Sequence, residues 1–103
     1  MIRVTRSAID QFLALLLEHP EEHVVRITVK DLDDHRLTFG LTLEEAARPG
    51  DAIQEVEGVT IVTEAQSAAR MDGMTVDYRE PEGFRFLHPA QPNELPLWPS
   101  NLN

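Results

Sequence analysis

A chain of 103 residues with 42% hydrophobic and 26% charged residues has the size and make-up of one globular domain with a single core. Nine Lys and Arg stand against eighteen Asp and Glu, a formal charge of −9. That balance disfavours direct contact with the phosphate backbone of nucleic acid and steers basic protein surfaces toward the chain. There is no cysteine, which removes disulfides, thiolate catalysis, thiol redox sensing and thiolate metal ligation in one step.

In chain order, Ile2, Arg3 and Val4 alternate and predict a short edge strand. Thr5 carries the hydroxyl of a helix N-cap. Ile9, Phe12, Leu13 and Leu16 then form one apolar stripe, with Leu15 on the opposite, exposed face and a stop near His19 ahead of Pro20. Val25, Ile27 and Val29 alternate with Arg26, Thr28 and Lys30, predicting a strand buried on one face. A polar turn over 31–35 leads to its hairpin partner, in which Leu37, Phe39, Leu41 and Leu43 alternate with Thr38, Gly40 and Thr42. A charged connector over 44–51 ends in the turn Pro49-Gly50. Short strands at 53–56 and 59–62 flank a tight turn at Glu57-Gly58, and 65–70 supports one or two helical turns. Asp72-Gly73 is a turn, after which Met74, Val76 and Tyr78 share one face of a strand. Pro81 breaks that strand, Phe84, Arg85, Phe86 and Leu87 resume it, and Pro89 ends it. Residues 91–103 hold Pro92, Pro96 and Pro99 and have no period, so they are expected to be a flexible tail on a domain spanning 1–90. One main N-terminal helix followed by short, mainly antiparallel strands is an α+β layout.

The residues 71–89 also carry a resemblance. Asp72-Gly73, Val76-Asp77-Tyr78, Gly83-Phe84-Arg85-Phe86 and Pro89 resemble the C-terminal signature of the A-type iron–sulfur carriers, the HesB-like family of IscA, SufA and ErpA. Upstream, Gly58-Val59-Thr60-Ile61-Val62 is similar to a strand of that family, and Ser67 falls at a family serine. The likeness runs from about Ile2 to Pro89 and implies the HesB-like fold, a compact sandwich of short mixed strands. Carriers of this family hold iron or a cluster with three cysteines, one in the hairpin turn and two in a C-terminal Cys-Gly-Cys. The resemblance sets Asp34 at the first of these positions and Leu95-Pro96-Leu97 at the other two, with His88 where the family has asparagine. Clusters require soft thiolates, so the carrier chemistry does not transfer and no cofactor is expected. The chain resembles the cysteine-less DsrR branch, associated with sulfur-oxidation gene clusters. That likeness implies an accessory or regulatory role in sulfur metabolism through a protein partner.

A non-thiolate metal site is the alternative. Asp31, Asp33, Asp34 and His35, with His88, offer oxygen and nitrogen ligands. Aspartates gather equally in solvated hairpin tips, and no regular ligand motif is present, so the expectation is no metal. His19 and His23 around Glu21 and Glu22 read as a surface loop. The serines Ser7, Ser67 and Ser100 sit in no glycine-flanked elbow, and no glycine loop could cradle a phosphate, so no enzyme is expected. In the tail, Leu95, Leu97 and Trp98 between prolines form the expected partner-binding segment, because a large ring on a stiff extended chain docks at little entropic cost. Folding of Trp98 back onto its own domain stays open beside that reading. A third possibility is an iron–sulfur assembly accessory that uses a partner's cysteines. No apolar run approaches the roughly 20 residues of a membrane span, and Arg3 and Arg6 lead into the helix with no small-residue cleavage site, so the expected compartment is the cytoplasm.

Overall fold

Thr5 begins the helix: its backbone is extended and its hydroxyl accepts from the Ala8 amide at 3.3 Å. The computed structural model describes residues 2–33 and 36–88. In these, β1 (Arg3–Val4), α1 (Arg6–Glu18), β2 (Val24–Asp33), β3 (Arg36–Glu44), β4 (Ala52–Val56), β5 (Val59–Thr63), α2 (Ala65–Met71), β6 (Thr75–Arg79) and β7 (Gly83–Leu87) follow one another. The strands form a three-stranded sheet, β1-β6-β7, and a four-stranded sheet, β3-β2-β5-β4. β1 runs parallel to β6 and β2 parallel to β5, while the three hairpin pairings are antiparallel. This is the mixed α+β sandwich that the sequence implies.

Local chemistry explains the connections. Between β4 and β5, Glu57 and Gly58 both have positive φ, 51° and 86°, the geometry of a two-residue primed turn whose twist matches its strands. The β2–β3 hairpin is tighter than the turn expected over 31–35. Pairing continues through Asp31↔Leu37 and Asp33↔Arg36, with a bulge between Asp31 and Asp33. Backbone ladders need no apolar side chains to continue, so aspartates that suggest a turn sit in a strand here.

The two sheets meet in one core. Val25, Ile27 and Val29 of β2, Phe39 and Leu41 of β3 and Ile61 of β5 face Val76 of β6, Phe84 and Phe86 of β7, and Ile9 and Phe12 of α1. Phe86 stacks on Phe39 with centroids 3.8 Å apart, joining the sheets, and Phe84 stacks on Phe12 at 4.7 Å, joining sheet and helix. Tyr78 meets Phe84 edge-on. Leu15 differs from expectation. It is half-buried and packs on this core, because residues 8, 12 and 15 recur at helical spacing and bring it to the flank of the stripe. The outward leucine is Leu17, 82% exposed.

Polar contacts fasten the elements. The Gln54 side chain mimics a backbone pair, accepting from the Ile2 amide at 3.1 Å and donating to the Ile2 carbonyl at 2.9 Å. The buried Ser67 hydroxyl accepts from the Val29 amide and donates to the Val29 carbonyl, tying α2 to β2. With Phe86 fully buried at the seam, Phe86→Ala is expected to lower unfolding free energy by about 3–5 kcal/mol. Urea denaturation of both proteins measures it. A loss under about 1 kcal/mol, the scale of a surface change, would contradict the packing.

Candidate functional site

Arg26 occupies a position that strand alternation assigns to solvent, yet it is 5% exposed. Its guanidinium donates from Nε to Glu44 Oε1 at 2.8 Å and from Nη1 and Nη2 to both oxygens of Asp51 at 3.1 and 2.6 Å. The Arg48 amide donates to Asp51 Oδ2 at 2.7 Å, and Arg48 Nη2 reaches Glu44 Oε2 at 3.0 Å. A planar five-donor fork with two carboxylates is a well-satisfied arrangement. It clamps the 45–51 connector onto the sheet and leaves no group poised for proton transfer. The hydrogen bonds from Arg26, followed by that from the Arg48 amide, hold the Asp51 carboxyl down to about 2. Asp51, bonded first among its neighbours, raises Arg26 beyond its ordinary range.

Asp77 makes the second polar fastening. It accepts from the Thr5 hydroxyl at 2.7 Å and the Ser7 hydroxyl at 3.0 Å, with Arg79 at 3.4 Å and Arg85 at 3.8 Å. The start of α1 is thereby pinned to β6. The Thr5 hydrogen bond is the main cause of a lowered Asp77 pKa.

Of the metal candidates, Asp31 and Asp33 lie in β2, while Asp34 and His35 lie outside the described residues. His88 Nε2 is 2.6 Å from the Arg70 carbonyl at the end of α2, so that ring nitrogen carries the proton and donates. Among the described residues, no three His, Asp or Glu side chains gather closely enough to hold a metal ion. Leu95, Leu97 and Trp98 also lie outside the described residues. His23 Nδ1 is 3.2 Å from the Glu45 carbonyl, beside an open groove flanked by Glu21, Glu22, Glu44 and Glu45. Two of the five carboxylates in the wider neighbourhood, Glu44 and Asp51, are thus spent on Arg26.

One further feature has no linear signature. An apolar cleft of about 190 Å³ opens between β4, β5 and α2, lined by Ile2, Ile53, Ile61, Ala68 and Met71. Ile53, on the edge strand β4, is 59% exposed at this cleft. The Thr63 hydroxyl also lines it and donates to the Met71 sulfur at 3.3 Å.

A family model described as iron-sulphur cluster biosynthesis matches residues 1–93. The chain belongs to that family. Within the iron-sulphur cluster biosynthesis family, the iron-sulfur cluster insertion protein ErpA of Saccharophagus degradans is 32% identical over 94 residues, 89% of this chain and 80% of that protein. The crystal structure of IscA with a 2Fe-2S cluster superposes with a TM-score of 0.72 at 31% identity, covering 86% of each chain. Escherichia coli SufA superposes with a TM-score of 0.76 over 85% of this chain and 80% of that one; at 24% identity the likeness is one of fold. The donor set here does not fit the cluster of the IscA structure, because the sequence holds no cysteine. No helix among the described residues is long and apolar enough to cross a membrane.

The Asp51 geometry sets a pH dependence. A carboxyl held below its unfolded value near 3.9 stabilises the fold above that pH, and the contribution is lost as pH falls from about 4 toward 2. The stability gap between wild type and Asp51→Asn is therefore expected to shrink over that interval. Urea midpoints at pH 5, 4, 3 and 2 measure it, and a constant gap would show that Asp51 titrates normally.

Proposed function

We propose that this chain is a non-enzymatic accessory or regulatory protein that uses the A-type carrier scaffold without a cluster and acts by binding another protein. The observation that carries the reading is the absence of cysteine from all 103 residues beside a core in which every family aromatic finds a partner. A scaffold that keeps its packing while lacking every thiolate has surface, not thiolate coordination, left to work with. The resemblance to the cysteine-less branch supports a place in sulfur metabolism, specifically sulfur oxidation, in the cytoplasm. The partner contact assigned to it is Leu95, Leu97 and Trp98, an apolar run on a chain of otherwise acidic character.

Two measurements test this together. Purified protein incubated with iron and sulfide under reducing, thiol-free conditions is expected to stay colourless and free of stoichiometric iron after gel filtration. One cluster per chain surviving that step would overturn the reading. A pull-down from the native cell is expected to recover a partner that Trp98→Ala fails to retain. A coloured, cluster-bearing complex formed only with the partner present would instead assign the chain to iron–sulfur assembly through the partner's cysteines.

A further inference from the structure

Among the described residues the cleft beside β4 is an open apolar seat, and the last of them contacts α2, which forms one of its walls. His88 is held against the Arg70 carbonyl. Arg70 shares α2 with Ala68 and Met71, both of which line the cleft. The described residues therefore end one imidazole side chain away from the helix that forms one wall of the cleft. Residues 89–94 follow, six residues that extend to roughly 20 Å at about 3.3 Å each. α2, with seven residues, is only about 10 Å long. The linker is thus long enough for the next apolar run, Leu95-Pro96-Leu97-Trp98, to reach any part of the cleft.

We propose that the Leu95–Trp98 segment docks into this cleft of its own chain, with the Trp98 ring seated against Ile2, Ile53, Ile61 and Met71. Size, chemistry and charge agree. A cavity of around 150 Å³ lined by aliphatic side chains accommodates a six-membered ring, and this cleft offers about 190 Å³. The indole N–H of a seated tryptophan needs an acceptor, and the Thr63 hydroxyl, which already donates to Met71, has lone pairs to give. Docking would also cover Ile53, one of the large hydrophobics that the described structure leaves open to water. A second copy of the chain fits less well. It would bring the exposed Glu55 and Glu57 of two β4 edges together in a protein of net charge −9. The tail from 91 to 103 carries one charged residue, Glu94, and approaches that rim with little repulsion. A short tether supplies an effective concentration on the order of millimolar, so docking within the chain outcompetes a weak external ligand. The docking goes beyond the partner reading and does not need it. If that reading also holds, the seat competes with the partner for the same side chains and sets a threshold for binding.

The chain has one tryptophan, so its fluorescence reports this segment alone. In the isolated full-length protein, Trp98 emission is expected to be blue-shifted and protected from acrylamide relative to free tryptophan. Ile53→Glu, at a site 59% exposed and so compatible with folding, is expected to move emission and quenching to those of solvated indole with the far-ultraviolet circular dichroism unchanged. Leu17→Glu, at a still more open leucine on α1, is expected to leave both as in wild type. Solvated emission in the wild type overturns the docking, as does blue-shifted emission indifferent to Ile53→Glu or responsive to Leu17→Glu. Emission that reddens on dilution through the micromolar range overturns the intramolecular seat and assigns the cleft to a second copy. Because no partner is present, failure here leaves the pull-down result standing, and the reverse is equally true.

Discussion

The stack of Phe86 on Phe39 is the contact on which the rest of the structure depends. Three strands in one sheet and four in the other, most of them five residues long, have too little paired backbone to persist alone. Each becomes stable by burying one face on the other, and the 3.8 Å aromatic contact is where the faces meet. Phe84, two residues back on the same strand, turns the same face to Phe12 and brings α1 into the layer. The polar fastenings sit at the edges of this seam and fix angles more than they supply energy. Asp77 sets where α1 begins, Gln54 holds the N-terminal strand beside β4, and Ser67 sets α2 against β2. The cleft is the gap those last two fastenings leave between β4 and α2.

Periodicity made the core readable in advance. Alternating valines and isoleucines in β2, phenylalanines two apart in β7 and the Ile9-Phe12-Leu16 stripe each have one sensible burial pattern, and the core contains them together. What periodicity could not show depends on groups far apart in sequence. Alternation sends Arg26 to solvent, and only the fold brings Glu44 and Asp51 around it. Helical spacing from the Ile9-Phe12-Leu16 stripe sends Leu15 to the exposed face, whereas in the fold it packs on the core and Leu17 is the open leucine. The aspartates of the β2–β3 hairpin suggest a turn because composition favours one, whereas backbone pairing carries the strand to Asp33. The cleft draws on Ile2, β4, β5 and α2, so no stretch of sequence announces it. The resemblance sets Asp34, Leu95 and Leu97 where the family has its ligands, and a substituted motif says what chemistry is missing more clearly than what replaces it.

The family to which the chain belongs includes relatives named for cluster insertion, and IscA is seen with its cluster. A scaffold with that history has two separable properties, a stable sandwich and a set of thiolates. Here the sandwich is complete without the thiolates: the core closes on aromatic and aliphatic contacts, and its buried charge is neutralised within the protein by Glu44 and Asp51. Among the described residues, that packing and ion pairing are satisfied by the protein's own side chains. The proposed role as a protein-binding accessory follows from this independence, with the apolar C-terminal run and its seat beside β4 as the adjustable part.

Thermal melting of the full-length protein in excess chelator, and again with iron(II), zinc or manganese added in steps, tests that independence most directly. Any ligand that binds the native state alone raises the melting temperature, and the rise continues with the logarithm of its concentration above Kd. The account predicts one melting temperature in all conditions, set by the core. A rise that grows with the concentration of one metal and disappears in Asp34→Ala would contradict it and would place a working metal site at the hairpin tip.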